Sequence, residues 1–272
     1  MNSLNEDFLN KNSKPVKNQK AKMKRLKQRQ IGKTNNATDQ KEMPKANSIG
    51  LSEAELDLFE SIQEAAKGRK RPIFIVCSFT NTTFGNIVKT VTHATYSHAG
   101  LSLTPELSTI YSFNADNKVN KLGGFSIESL NEYNDISNKC QICVSCIFVK
   151  QKDYDIIKKE LDLLLMNQKD TTYAYGNILN ILLSKYKEMS ANAMSLVCSQ
   201  FVSYILNKAD IKLMDKPINL TQPEDLARLN NPRVYKLYEG MGSNYKPDEI
   251  KKKFKKLRIK AEVIKEQFRE SL

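Results

Sequence analysis

Two residue types in this chain could together perform nucleophilic chemistry: a cysteine and a histidine. Cys198 lies near the start of segment 195–206, whose apolar spacing predicts a buried helix with the cysteine on its first turn. A thiol at that position lies in the positive field of the helix N-terminus, which favours the nucleophilic thiolate. The thiolate needs a base, and the chain contains only two histidines, His93 and His98.

The two histidines lie in different predicted environments. Residues 95–103 alternate in polarity around His98, which predicts a strand, whereas His93 follows a predicted helix over 84–92. A histidine at a helix end commonly interacts with the last carbonyl groups. We therefore expect His98 to be the base and keep His93 as the alternative.

The remaining elements must bring Cys198 to His98 across a hundred positions. The order of elements is a strand, a helix, several strands and then helices, which predicts an α+β domain with a largely antiparallel sheet packed against helices. Strands are predicted over 72–78, 109–114, 122–126, 141–149 and 234–238, a helical turn over 127–133, and helices over 53–66, 153–166, 175–187 and 246–270.

The net charge of +13 lies at the two ends of the chain. Residues 1–50 contain 12 basic and 4 acidic residues, and residues 245–272 contain 10 basic and 5 acidic residues. We predict a disordered basic tail over 1–50, a domain over 51–244 and a basic amphipathic helix over 245–272. The tails could attract an acidic partner or nucleic acid, and the alternative is that they only aid solubility.

The five cysteines show no pairing pattern, and no apolar run reaches the roughly 20 residues of a membrane span. With no secretory segment at the start, these features predict a cytoplasmic protein, with a virion or another particle as the alternative location. Cys140, Cys143 and Cys146 could suggest a metal site, but in a strand Cys143 faces away from the other two. We therefore predict neither a metal nor a cofactor.

Two short motifs resemble one enzyme family. Ser97-His98-Ala99-Gly100-Leu101 resembles the histidine strand of the circularly permuted papain-like cysteine hydrolases, and Cys198-Ser199-Gln200-Phe201-Val202 resembles their nucleophile helix. This group includes the YiiX/YebB-like amidases and the lecithin–retinol acyltransferase-like proteins, and it is similar to NlpC-type peptidases with the order inverted. The histidine strand precedes the cysteine in the permuted group, as it does in this chain. The resemblance covers residues 70–240 and implies a papain-like, permuted NlpC-type domain.

The resemblance also implies a reaction and its residues. Cys198 would attack the carbonyl carbon of an amide or peptide bond, such as one in a cell-wall-type peptide, while His98 would hold the thiolate and protonate the leaving group. The backbone N–H of Cys198 would supply one oxyanion donor. The family often has a third polar residue on the strand after the histidine strand, and the matching positions here are Ser112 and Asn114. Asparagine could orient the imidazole through its amide oxygen, whereas serine is poorly suited to that role.

Two alternatives remain open from the sequence. A thiol acyltransferase acting on lipids would use the same motifs. A non-catalytic papain-like module could instead serve in a larger assembly, such as a particle or capsid, bound through its basic tails.

Overall fold

The structure is a computed structural model that describes residues 53–79, 94–117, 119–136, 140–176, 178 and 194–270. All of these residues belong to one compact unit of the chain. The predicted tail over 1–50, the predicted helix over 84–92 and the alternative base His93 lie outside the described residues, as does most of the predicted helix over 175–187.

The described elements follow the predicted order. The helices are α1 (Glu53–Ala66), α2 (Leu130–Ile136), α3 (Gln151–Met166), α4 (Cys198–Lys208), α5 (Pro223–Ala227) and α6 (Pro247–Glu270). The strands are β1 (Lys70–Phe79), β2 (His98–Ser102), β3 (Ile110–Asn114), β4 (Gly124–Glu128), β5 (Gln141–Lys150), β6 (Thr172–Tyr173), β7 (Ser195–Leu196) and β8 (Tyr235–Met241). Short 3-10 turns cover Gln168–Asp170, Ile218–Leu220 and Gly242–Asn244.

Six strands form one sheet in the order β4-β3-β2-β1-β5-β8, and every neighbouring pair is antiparallel. The prediction of an α+β domain with an antiparallel sheet packed against helices is therefore confirmed. A separate parallel pair, β6 with β7, joins Tyr173 to Leu196. This pair places the segment around Tyr173 beside the start of α4.

The sheet has a hydrophobic core on each face, because alternate residues of its buried strands point to opposite sides. On one face the strands pack against α3, α4 and α5, and on the other they pack against α2 and α6. Phe201 of α4 lies 5.6 Å from Phe113 and 5.7 Å from Phe125, measured between ring centroids. These aromatic contacts fix α4 against β3 and β4.

Two predicted boundaries next to the site were wrong. The helix predicted over 195–206 begins only at Cys198, because residues 195–196 form β7. A strand was also predicted to end at Ser126 and a helical turn to begin at Ile127, whereas β4 continues to Glu128 and α2 begins at Leu130. The strand continues because Glu128 pairs with Ile110 of β3, and this long-range pairing overrides the local helical pattern.

Within the described ranges, no helix combines the length and apolarity that crossing a bilayer would require.

Candidate active site

Cys198 is the first residue of α4, and its side chain is buried. The hydroxyl of Ser199 donates to the backbone oxygen of Thr221 over 2.6 Å. The side-chain amide of Gln200 donates to the backbone oxygen of Asn219 over 2.9 Å. Both bonds tie the first turn of the helix to the loop over 219–221, which fixes the position of the thiol.

His98 is the first residue of β2 and lies opposite Ser78 of β1. One carboxylate oxygen of Glu224, in α5, accepts hydrogen bonds from the backbone N–H groups of Thr95 and Tyr96 over 2.8 and 3.1 Å. This carboxylate holds the chain that enters β2. The histidine therefore has a fixed backbone on both sides, through the sheet and through α5.

Gly100 of the histidine motif has a steric reason to be glycine. A Cβ atom there would lie 2.6 Å from Cγ2 of Ile110 and 2.8 Å from the backbone oxygen of Tyr111. Real Cβ atoms essentially never approach other atoms this closely. The missing side chain lets β3 pack tightly against β2 beside His98.

Glu128 provides the carboxylate partner of His98, which the sequence analysis missed. Its Oε2 lies 2.8 Å from Nε2 of His98 and accepts a hydrogen bond of 2.5 Å from the hydroxyl of Tyr133. Its Oε1 accepts from Nδ2 of Asn114 over 2.8 Å and from the hydroxyl of Ser126 over 2.9 Å. Four donors therefore surround a carboxylate that is almost completely buried.

The two residues expected to orient the imidazole occupy different positions. Ser112 has its hydroxyl 3.2 Å from Nε2 of His98, but that hydroxyl donates to the backbone oxygen of Ala99 over 2.6 Å. Asn114 instead holds Glu128 in place through its amide. Both side chains therefore belong to the network, whereas the shortest contact with the imidazole comes from the carboxylate.

The electrostatics of the site favour an ion pair between Cys198 and His98. Burial alone would lower the pKa of His98, but the charge of Glu128 and a hydrogen bond with Cys198 outweigh burial and raise that pKa well above its ordinary value. Burial also tends to raise the pKa of Cys198. A hydrogen bond with His98, its charge, and hydrogen bonds with the backbone of Ala99 and Ser199 lower it overall. Both shifts favour a thiolate beside an imidazolium.

Glu128 remains ionised in this network. Burial alone would raise its pKa, but the charge of His98 and the hydrogen bonds from His98, Tyr133 and Ser126 lower it to about 2. The ionised carboxylate engages Nε2 of His98, which leaves Nδ1 as the ring nitrogen available to the thiol. A thiol, an imidazole and a carboxylate arranged in this way could act as nucleophile, base and orienting group in covalent catalysis.

Tyr173 is a second candidate residue near Cys198 that the sequence motifs did not indicate. Burial raises the pKa of Tyr173 well above its ordinary value, and the charge of Cys198 and a hydrogen bond with Cys198 raise it further. The phenol is therefore protonated, and the pairing of Tyr173 with Leu196 brings its segment beside the start of α4. The same hydroxyl could donate to an oxyanion that forms on a carbon bonded to the sulfur of Cys198.

The glycine pair at 123–124 explains how Tyr173 reaches the site. A Cβ at Gly123 would lie 2.6 Å from Cβ of Tyr173, and a Cβ at Gly124 would lie 2.5 Å from Oγ1 of Thr171. Both glycines also have positive φ values, 73° and 140°, which residues with a side chain rarely adopt. The pair therefore lets the segment from Thr171 to Tyr173 lie directly against the start of β4.

The other cysteines do not share the environment of Cys198. Cys143 faces one core of the sheet, whereas Cys140 and Cys146 face the other. Burial raises the pKa of Cys77 well above its ordinary value, and that of Cys140 to about 11. Among the described residues, no group of His, Cys, Asp and Glu side chains could hold a metal ion.

No protein-family model matches the chain, and no curated protein matches it.

Proposed function

We propose that this protein is a thiol hydrolase that cleaves an amide or peptide bond through an acyl intermediate on Cys198. The observation that supports the proposal most strongly is the continuous network from Cys198 through His98 to Glu128. Its three members come from α4, β2 and β4, which are far apart in sequence. Burying such ionisable groups together is costly for folding, and perturbed clusters of this kind are concentrated at functional sites.

The first half of the proposed reaction forms a thioester. The thiolate of Cys198 attacks the carbonyl carbon, a sulfur–carbon bond forms, and the carbonyl electron pair moves to the oxygen. The hydroxyl of Tyr173 and the backbone N–H of Cys198, at the start of α4, donate to that oxyanion. When the intermediate collapses, the carbon–nitrogen bond breaks and the amine takes the proton from Nδ1 of His98.

The second half releases the acid. His98, now neutral, accepts a proton from a water molecule that attacks the thioester carbon. The carbon–sulfur bond then breaks, the carboxylic acid leaves, and the thiolate and imidazolium form again. Glu128 keeps the imidazole oriented and stabilises its positive charge in both halves, but it does not itself take up the proton.

The order of the three residues supports membership of the permuted papain-like group, with its NlpC-type relatives. His98 precedes Cys198, and both stand in motifs that resemble the family. Glu128 would then have the role that the resemblance assigned to Ser112 or Asn114. A cytoplasmic or particle-associated location, and an acidic or nucleic-acid partner for the tails, remain predictions from composition.

The alternatives differ in what they require of the site. A non-catalytic module has no need for a buried thiolate paired with an imidazolium, whereas a hydrolase does. An acyltransferase would form the same thioester and pass the acyl group to an acceptor other than water. The network therefore favours an enzyme over a scaffold, and the acceptor of the acyl group distinguishes the two enzymes.

The proposal is tested by alkylating the native protein with iodoacetamide at pH 7 and measuring the modification of each cysteine by peptide mass spectrometry. We expect Cys198 to react at least about tenfold faster than Cys77, because only Cys198 is held as a thiolate. His98→Ala should remove most of that difference. Equal rates at the two cysteines, unchanged by His98→Ala, would exclude the proposed pair.

A further inference from the structure

Three exposed apolar side chains lie on two chain segments that meet at Tyr173. Val119 is 50% exposed, Leu122 is 65% exposed and Tyr175 is 47% exposed. Exposed large apolar residues that gather beside a reactive group are typical of a binding surface, whereas single ones scattered over a protein are not.

A short series of contacts joins these side chains to the nucleophile. Tyr173 pairs with Leu196, two residues before Cys198, at the start of α4. The rings of Tyr173 and Tyr175 meet edge to face, with centroids 5.2 Å apart. The backbone N–H of Tyr173 donates to the backbone oxygen of Leu122 over 3.3 Å. Tyr175 and Leu122 therefore each contact Tyr173, whose segment lies beside the start of α4.

This surface is held in place by hydrogen bonds. The hydroxyl of Tyr175 donates to the backbone oxygen of Ala115 over 3.1 Å. The side-chain amide of Asn120 donates to the backbone oxygen of Thr171 over 2.5 Å, and its Oδ1 accepts from the N–H of Leu122 over 3.0 Å. The loop with Val119 and Leu122 is thus fastened to the segment with Tyr173 and Tyr175, so the apolar surface is preformed.

We propose that Val119, Leu122 and Tyr175 form an apolar subsite that binds a large apolar amino-acid side chain next to the scissile bond. This inference rests on the proposed function, since it names the substrate class of the same site. Two aliphatic side chains and one aromatic ring offer apolar contacts suited to a leucine- or phenylalanine-type side chain. The substrate is therefore a peptide with such a residue beside the bond that Cys198 attacks.

The test uses a series of N-substituted iodoacetamides that alkylate the same sulfur. An N-isopentyl amide copies a leucine side chain, an N-(2-methoxyethyl) amide of similar length is its polar counterpart, and an N-dodecyl amide copies a lipid chain. The rate of modification of Cys198 is measured with each probe on the full chain. The ratio of the isopentyl rate to the methoxyethyl rate reports the apolar subsite independently of the reactivity of the thiol.

We expect a ratio of about tenfold, in keeping with the burial of a few methylene groups. Leu122→Ser should lower the ratio several-fold, and Tyr175→Ser should do so independently. The matched control is Ile259→Ser, because Ile259 is 48% exposed on α6 and distant in sequence from the site. This control should keep the wild-type ratio.

Two results would overturn the inference. A ratio near one, or a ratio that Leu122→Ser and Tyr175→Ser leave unchanged, would show that the surface does not bind the substrate. If the dodecyl probe modified Cys198 far faster than the isopentyl probe, the surface would bind a lipid chain and not a peptide side chain. If the proposed function itself were wrong, plain iodoacetamide would modify Cys198 no faster than Cys77, which is a different readout.

Discussion

Oε2 of Glu128 lies 2.8 Å from Nε2 of His98, although 30 positions separate the two residues in the sequence. This contact joins the end of β4 to the start of β2 and completes a site that the sequence motifs describe only in part. It also determines the geometry, because the carboxylate engages one ring nitrogen and leaves the other for Cys198. The first predictions follow from this pair.

Glu128→Gln should slow the modification of Cys198 by iodoacetamide at pH 7. The neutral amide cannot stabilise the imidazolium, so the pKa of His98 falls and the thiolate becomes less favourable. We expect a decrease of roughly 10- to 100-fold. Glu106→Gln is the control, since Glu106 pairs with Lys251 on the surface. A wild-type rate in Glu128→Gln would mean that the carboxylate does not support the thiolate.

The stability of the protein should depend on Glu128 in acid. Its pKa is about 2 in the folded chain and about 4.3 in an unfolded chain. The depressed pKa stabilises the fold above about pH 4.3, and this contribution is lost as the pH falls towards 2. The free energy of urea unfolding should lose about 2 kcal/mol from this group between pH 6 and pH 3.

Glu128→Gln should lack that part of the pH dependence. A useful comparison is Glu239→Gln, because the pKa of Glu239 is also lowered to about 2 by hydrogen bonds from Lys236 and Tyr96. The Glu239 carboxylate is more exposed to solvent, so its contribution should be smaller. Identical acid profiles for the wild type and Glu128→Gln would contradict the buried ion pair.

Tyr173→Phe should reduce kcat and leave KM nearly unchanged. The substitution keeps the ring and its packing but removes the hydroxyl that we expect to donate to the oxyanion. Loss of one such donor lowers kcat roughly 100-fold. Once a peptide substrate is identified, steady-state kinetics measure both constants. Tyr154→Phe serves as the control because Tyr154 lies on α3, against Arg71. An effect on KM alone would assign Tyr173 to substrate binding instead.

Ser78→Ala should stabilise the protein. The Ser78 hydroxyl is buried beside His98 and finds no hydrogen-bond partner among the residues that the structure describes. Replacing it with a methyl group removes a desolvation penalty, so the free energy of unfolding should rise by about 1 kcal/mol. Ser112→Ala should have the opposite effect, since Ser112 donates to Ala99. Destabilisation by Ser78→Ala would show that this hydroxyl has a partner in solution.

Sequence periodicity predicted the fold class and the elements that hold His98 and Cys198. Continuous apolar runs identify β1 and β5, and helical spacing identifies α3 and α4, because burial repeats with the period of each element. The two motifs also placed Cys198 at the start of a helix and His98 on a strand. These features depend on residues that are neighbours in the chain.

Glu128 and Tyr173 could not be placed in the same way. Glu128 follows Gly124 and Ser126 at the two-residue spacing of a strand face, and this signal was available, but the apolar residues after Ile127 favoured a helix. Tyr173 lies beside the start of α4 because β6 pairs with β7, and because two glycines some 50 positions earlier leave room for its segment. Contacts between distant segments of this kind leave no local periodicity in the sequence.

The most direct test of the central claim is the mass of the intact protein after it is mixed with the p-nitrophenyl ester of an N-acylated leucine. The account predicts a burst of nitrophenol close to one equivalent, with the acyl group attached to Cys198 as a thioester. Cys198→Ala should abolish the adduct, and His98→Ala should slow its formation. A wild-type rate of ester cleavage in Cys198→Ala, or an acyl group found on another residue, would contradict the account.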